Sequence, residues 1–142
     1  MKDDGDTGPA ASAGEIRVDS EASIVAVRRA IREVVTSMGF GITDVTRVVT
    51  AASELARNIY CYARTGNVRW RVVVRGSAQG IEIVFQDEGP GIVDVDLALR
   101  EGWSTSGGLG MGLPGSRRLT DELDLVSGPG QGTVVTVRKW RR

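Results

Sequence analysis

The sequence predicts an α+β fold: a two-layer α/β sandwich in which helices cover one face of a mixed, mostly antiparallel sheet. Runs with the period-two alternation of strands are segregated from runs with the three-and-four spacing of helices. The strands are joined by hairpin-type connections, which disfavours a doubly wound parallel sheet. A chain of 142 residues with 41% hydrophobic residues is long enough for one domain with a buried core.

The N-terminal segment has almost no bulky side chains. Residues 1–14 are mainly Asp, Gly, Ser, Ala and Pro, so we expect a disordered tail followed by one domain over residues 15–142. The first strand is predicted at residues 15–19, where Ile16 and Val18 alternate with polar neighbours.

Two amphipathic helices are predicted next. Ser20 is the expected N-cap of the first helix, and Gly39 ends it. Thr43 is the expected N-cap of the second helix, which runs to about Ala63. Both helices carry apolar side chains at three-and-four spacing, so each buries one face.

The second half of the chain combines strands with turns. A hairpin is predicted from strands at residues 68–75 and 81–86 with a connection at 76–80. In its first strand the even-numbered apolar residues face the helices and the arginines face water. The remaining elements are predicted as a short helix at 94–100, a helix at 114–122, and strands at 123–127 and 132–140.

Two residue counts restrict the chemistry. Histidine is absent and Cys61 is the single cysteine, which excludes Cys/His zinc sites, disulfides, and Ser-His-Asp or Cys-His nucleophiles. Any general base is therefore a carboxylate. The formal net charge of +0 argues against a nucleic-acid partner. With no apolar run long enough to span a bilayer and an acidic N-terminus unlike a signal peptide, we expect a cytoplasmic protein with no membrane partner.

Glu54 and Asn58 form the first candidate site. They lie four residues apart on the second predicted helix and share one of its faces. Both fall at the edge of the apolar stripe centred between Leu55 and Ile59, so they would border a space between helix and sheet. Polar groups at the flank of a helix are more often simply solvated, so the spacing alone leaves both interpretations open.

Asp87 is the second candidate, because it directly follows an apolar strand and precedes Gly89-Pro90-Gly91. A carboxylate at a strand end can point into a cleft, while two glycines allow the backbone to approach a flat ligand. The same residues also make a good turn, and the sequence leaves these two interpretations about even.

A glycine-rich run from Gly107 to Gly112 is the third candidate. Its backbone amides and the start of the following helix could bind phosphate groups, and a flexible surface loop is the alternative. Residues 110–115 match Gly-x-Gly-x-x-Gly, but they follow a loop instead of a strand. A Rossmann dinucleotide site is therefore disfavoured.

In combination, these motifs resemble the ATP-binding boxes of the GHKL ATPase superfamily, which has the Bergerat fold. The N box, G1 box, G2 box and closing Gly-Thr correspond in order to residues 54–58, 87–91, 108–112 and 132–133. Within that superfamily, the small size of the chain is similar to that of the stand-alone anti-sigma-factor serine kinases. Within that family, three segments are similar to the RsbT-like switch kinases of the stressosome: residues 52–60, 87–92 and 102–110.

The resemblance implies ATP and Mg²⁺ as cofactors and assigns a role to each matched residue. Glu54 would be the catalytic residue that orients the attacking hydroxyl or water, and Asn58 would hold the Mg²⁺. Asp87 would accept a hydrogen bond from the adenine amino group, and Thr133 would close the same pocket. Gly89 and Gly91 would let the base approach, and the phosphates would be wrapped by Gly108, Gly110 and Gly112.

The implied function is an ATP- and Mg²⁺-dependent protein serine/threonine kinase. In this family the phosphorylated partner is a STAS-domain protein, and the released kinase binds and activates a PP2C-type phosphatase. The alternative is a non-catalytic binding module, such as an anti-sigma factor that uses nucleotide only to shape its surface.

Overall fold

A five-stranded sheet with helices on one face forms the protein, and the computed structural model describes residues 12–92 and 112–142. In chain order the elements are β1 (Ala13–Val18), α1 (Glu21–Ser37), α2 (Ile42–Tyr62), β2 (Gly66–Arg75), β3 (Ala78–Asp87), α3 (Gly112–Leu119), β4 (Glu122–Ser127) and β5 (Thr133–Trp140). The strand order is β1-β2-β3-β5-β4. The predicted two-layer α+β architecture is confirmed.

The sheet is predicted to be mixed and mostly antiparallel, and all four pairings between the described strands are antiparallel, so no parallel pair occurs among them. The chain leaves β3 at one end of the sheet and returns through α3 to the far edge strand β4. A hairpin then brings β5 back between β4 and β3, antiparallel to both.

Helix α1 begins at the predicted N-cap. The Ser20 hydroxyl accepts a hydrogen bond from the Ser23 amide at 3.1 Å, and the Ser23 hydroxyl accepts one from the Ser20 amide at 3.0 Å. This reciprocal capping box satisfies two amides that have no partner inside the helix. Its predicted apolar stripe is buried and consists of Ile24, Val27, Ile31, Val34 and Val35.

Helix α2 begins earlier than predicted. Thr43 lies inside the first turn, and the N-cap is Gly41, whose carbonyl already accepts the first helical hydrogen bond from the Val45 amide at 2.9 Å. Phe40 and Val45 flank this start and are both buried in the core, in the positions of a hydrophobic staple. Burial of this pair places the start of the helix, and no side-chain cap is present at Gly41.

The central hairpin is tighter than predicted. Only Gly76 and Ser77 connect β2 to β3, because residues 78–80 pair with residues 73–75 instead of forming a loop. The longer strands extend beyond the helical layer, so Val74, predicted on the packed face, is 66% exposed.

The other predicted boundaries differ by a few residues. β1 begins at Ala13 instead of residue 15, and β5 begins at Thr133 instead of residue 132. The helix predicted at 114–122 is α3, which starts at Gly112 and ends at Leu119, so Glu122 already belongs to β4. The short helix predicted at 94–100 lies outside the described residues.

The core lies between one face of the sheet and helices α1 and α2. Ile83 and Phe85 of β3 and Val137 of β5 are buried against Ile31 and Leu55 of the helices, each at most 2% exposed. This face is the one on which Asp87, two residues beyond Phe85, also lies. Within residues 12–92 and 112–142 no helix combines the length and apolarity needed to cross a bilayer.

Arginines occupy the opposite face, as predicted. Glu82 is nearly buried among them and accepts hydrogen bonds from Arg71 at 2.8 Å and from Arg138 at 2.9 Å. Burial acts to raise the pKa of Glu82, but the two guanidinium groups outweigh it and lower that pKa. The carboxylate links three adjacent strands across the face that is not covered by any of the helices that the structure describes.

Candidate functional site

The candidate site lies where three strands meet at one end of the sheet. Asp87 ends β3, Thr133 begins β5 and Ser127 ends β4. Thr133 is paired directly with Asp87 on one side and with Ser127 on the other. Directly opposed residues of antiparallel strands project to the same face, so the three side chains form a row on the helical side of the sheet.

Asp87 is held in place by backbone amides. Its carboxylate accepts a hydrogen bond from the Gly89 amide at 2.9 Å. Burial raises the pKa of this carboxyl above its ordinary value of 3.8, although hydrogen bonds from the amides of Gly89 and Thr133 act to lower it. A partly desolvated, fixed carboxylate is a strong acceptor for an amino group in the adjacent space.

The loop after β3 packs against the turn between β4 and β5 and is hydrogen-bonded to it. The Pro90 carbonyl accepts a hydrogen bond from the Gly130 amide at 2.7 Å. Gly91 has a φ of +80°, and a Cβ there would overlap the Gly128 carbonyl oxygen. Only glycine satisfies both the left-handed backbone and this close approach. The predicted turn is therefore confirmed, and it fixes the position of Asp87.

The end of helix α2 packs over the same strand end. A Cβ on Gly89 would lie 2.6 Å from the Cβ of Ala63, which caps α2. A Cβ on Gly66 would lie 2.7 Å from the Ile59 side chain and 3.1 Å from the Cβ of Asp87. Gly66 therefore lies beneath both Ile59 and Asp87. The last turns of α2 are thus adjacent to the carboxylate.

Asn58 precedes Ile59 on α2, and Glu54 lies one turn before Asn58. Both are half-buried, and each immediately precedes a buried residue, Leu55 or Ile59. No described side chain forms an ion pair with Glu54. Their position at the edge of the buried stripe agrees with the expected border between helix and sheet.

The structure brings some predicted site residues together and does not describe others. Asp87, Gly89, Gly91 and Thr133 form one cluster, and Glu54 and Asn58 lie on the adjoining helix. Gly112 is the first residue of α3, with a φ of +61°. Gly108 and Gly110 lie outside the described residues.

Ser127 was not predicted as a site residue. Its hydroxyl accepts a hydrogen bond from the Ile92 amide at 2.8 Å and lies 2.9 Å from the Thr133 hydroxyl. A polar residue at the end of β4, just before the Gly128-Pro129-Gly130 turn, was the only signal in the sequence. Only the pairing of β4 with β5 shows that Ser127 lies beside Thr133.

The donor chemistry around Asn58 fits a magnesium ion that also binds phosphates. Mg²⁺ usually keeps several waters and takes only one or two protein ligands, with oxygens of the substrate completing its shell. The half-buried Asn58 amide offers an oxygen of this kind, and the Glu54 carboxylate lies one turn away on the same face. Residues 12–92 and 112–142 contain no cluster of three or more acidic, Cys or His residues that would form a separate all-protein metal site.

Two curated proteins are similar in sequence to most of this chain. The chain is 46% identical over 127 residues to serine/threonine-protein kinase RsbT of Bacillus subtilis, covering 89% of this chain and 96% of that protein. It is 33% identical to the anti-sigma F factor of Halalkalibacterium halodurans, covering 68% of this chain and 69% of that protein.

A solved structure shows the same fold. The crystal structure of the RsbU and RsbW domains of a Mycobacterium tuberculosis protein matches 91% of this chain and 32% of that chain, with a TM-score of 0.58 and 20% identity. The model of the histidine kinase-like ATPase domain matches residues 17–139. The chain therefore belongs to the histidine kinase-like ATPase domain family.

Proposed function

We propose that the protein is an ATP- and Mg²⁺-dependent protein serine/threonine kinase. The observation that carries the proposal is the 46% identity, over 89% of this chain, to a protein named as a serine/threonine kinase. The geometry supports it, because a fixed carboxylate on the helical side of the sheet lies beside a helix that carries a second carboxylate and an amide.

The adenine base occupies the space beside Asp87 in this proposal. The carboxylate accepts a hydrogen bond from the 6-amino group, and its two backbone amide donors keep it oriented before the ligand arrives. Gly89 and Gly91 have no side chains, and in this proposal their backbone lets the flat base approach closely. Gly112, at the start of α3, binds the phosphates in this proposal, and the family resemblance assigns the same role to Gly108 and Gly110.

Glu54 acts on the attacking hydroxyl. It accepts the proton from the serine or threonine of the partner protein while the oxygen attacks the γ-phosphorus of ATP and ADP leaves. Asn58 holds the Mg²⁺, which supplies positive charge to the phosphoryl oxygens when bound. Phosphoryl transfer depends mainly on positioning and charge stabilisation, and Glu54 and Asn58 contribute to both from one face of α2.

A STAS-domain protein is the proposed phosphate acceptor, and a PP2C-type phosphatase is the proposed second partner. Both partners follow from the resemblance to RsbT-like kinases. A second candidate function is a non-catalytic anti-sigma factor that binds nucleotide, favoured by the 33% identity to an anti-sigma F factor.

Transfer of the γ-phosphate from labelled ATP to STAS-domain proteins separates the two functions. Glu54→Ala is expected to lower the transfer rate by about 10²- to 10⁴-fold while ATP affinity stays close to that of the wild type. Glu33→Ala, an exposed glutamate on α1, is the matched control and keeps the wild-type rate. A wild-type rate in Glu54→Ala contradicts the role of Glu54. ATP binding without transfer to any STAS protein, together with capture of a sigma factor, favours the second candidate.

A further inference from the structure

Ser127 connects the two loops that border the candidate adenine pocket. Its hydroxyl oxygen lies 2.8 Å from the Ile92 amide nitrogen, 2.8 Å from the Gly132 carbonyl oxygen and 2.9 Å from the Thr133 hydroxyl oxygen. Ile92 follows β3, Gly132 directly precedes β5, and Thr133 is the first residue of β5. The residue thus has three polar contacts around one oxygen atom.

The proton count around this oxygen fixes the direction of each hydrogen bond. The Ile92 amide can only donate and the Gly132 carbonyl can only accept, so the single Ser127 proton points to Gly132. The contact with Thr133 is then satisfied only if the Thr133 hydroxyl donates to Ser127. The reverse direction would leave the Gly132 carbonyl without the Ser127 donor.

This direction decides what Thr133 presents to a ligand. Its only proton is used by Ser127, so the Thr133 hydroxyl presents lone pairs to the space beside the directly opposed Asp87. The Asp87 carboxylate is also an acceptor when ionised. The pocket therefore offers two acceptors from the strand ends, and it matches a base edge that carries an amino group.

We propose that Ser127 is a positioning residue that fixes the Thr133 hydroxyl as an acceptor and makes the pocket select 6-aminopurine over 6-oxopurine nucleotides. The inference rests on the proposed function, which places the base beside Asp87. A 6-oxo oxygen would face two acceptors and lack a donor. Without Ser127, the Thr133 hydroxyl can turn and donate to that oxygen, so the penalty against the 6-oxo base falls.

Dissociation constants of ATP and ITP test the proposal, because adenine and hypoxanthine differ only in the 6-substituent and the N1 proton. Titration calorimetry on the full chain is expected to show ATP preferred by the wild type. In Ser127→Ala the ratio of the two constants falls by about fivefold to tenfold, the equivalent of one hydrogen bond. Ser37→Ala, which loses a serine hydrogen bond to the Val34 carbonyl on α1, is the control and keeps the wild-type ratio.

A double-mutant cycle shows whether Ser127 acts through Thr133. Thr133→Val removes the hydroxyl that Ser127 orients, so Ser127→Ala in that background is expected to change the ratio no further. An additive second change contradicts the mechanism. If Ser127→Ala does not fold, Ser127→Cys keeps the volume with a weakly hydrogen-bonding thiol and is expected to lower the ratio as well.

The two failures are distinguishable. Wild-type protein that binds neither nucleotide overturns the proposed function and this inference with it. Wild-type protein that binds ATP, with an unchanged ratio in folded Ser127→Ala and Ser127→Cys, overturns this inference alone.

Discussion

Gly91→Ala tests whether contacts between the loop after β3 and the β4–β5 turn are needed to form the candidate site. A Cβ at this position faces two obstacles, a φ of +80° and overlap with the Gly128 carbonyl oxygen. Gly130, in the β4–β5 turn, is a matched control, since its φ is +74° but no atom lies within 4 Å of an added Cβ. The pair separates backbone strain from steric overlap.

The expected costs follow from these contacts. Left-handed backbone alone costs an alanine about 1 kcal/mol, which is the expected loss in Gly130→Ala. In Gly91→Ala the loop must also move away from Gly128, which breaks the bonds from Gly130 to Pro90 and from Ile92 to Ser127. At about 1 kcal/mol for each bond, the total reaches about 3 kcal/mol.

Urea unfolding followed by circular dichroism measures both losses, and thermal shift with ATP measures binding. At about 4 °C per kcal/mol, Tm falls by about 4 °C in Gly130→Ala and by about 12 °C in Gly91→Ala. ATP should still stabilise Gly130→Ala but not Gly91→Ala. Equal losses of stability in the two variants, or ATP binding by Gly91→Ala, would refute the reasoning.

Three further predictions concern charge. Because burial raises the pKa of Asp87, the ionised form of this carboxyl opposes folding at neutral pH. Asp87→Asn removes that charge and should raise the Tm of the nucleotide-free protein. An unchanged or lower Tm contradicts this prediction. In the wild type, calorimetric ATP affinity should fall as pH decreases through that raised pKa, beginning above the ordinary value of 3.8; constant affinity there would exclude an ionised acceptor. Lys139, 6% exposed, lies 3.5 Å from Asp44 and 3.7 Å from Asp121, so Lys139→Ala should cost about 3 kcal/mol in urea unfolding. Arg17→Ala, which breaks a pair with a 63% exposed arginine, should cost less than about 0.5 kcal/mol, and similar losses in the two would contradict the burial argument.

The helices and strands were predictable because their side-chain periodicity is local. The buried stripe of α1 and the Ser20 cap follow from neighbouring residues alone. The predicted start of α2 was wrong, because the burial of Phe40 and Val45 outweighed the preference of Thr43 for the N-cap position. The predicted hairpin loop was longer than the observed one, because residues 78–80 pair with residues 73–75 of the opposite strand and the sequence of 78–80 alone does not show this.

The candidate site depended on information that is not local. Asp87 and Thr133 were each recognisable at a strand end, but their direct opposition follows from the placement of β5 beside β3. Ser127 lacked a recognisable motif, and its contacts with Ile92 and Thr133 exist only after the sheet has formed. Sequence patterns therefore indicated the chemical groups, and the strand order supplied their arrangement.

Thermal stabilisation by ATP with Mg²⁺, compared between the wild type and Asp87→Asn, tests the nucleotide pocket most directly. A ligand that binds only the folded state at 100 times its Kd adds about 2.7 kcal/mol, or about 11 °C in Tm for a domain of this size. We expect a Mg²⁺-dependent rise of this order in the wild type and none in Asp87→Asn. No rise in the wild type at millimolar ATP, or an equal rise in the two proteins, would contradict the proposed site.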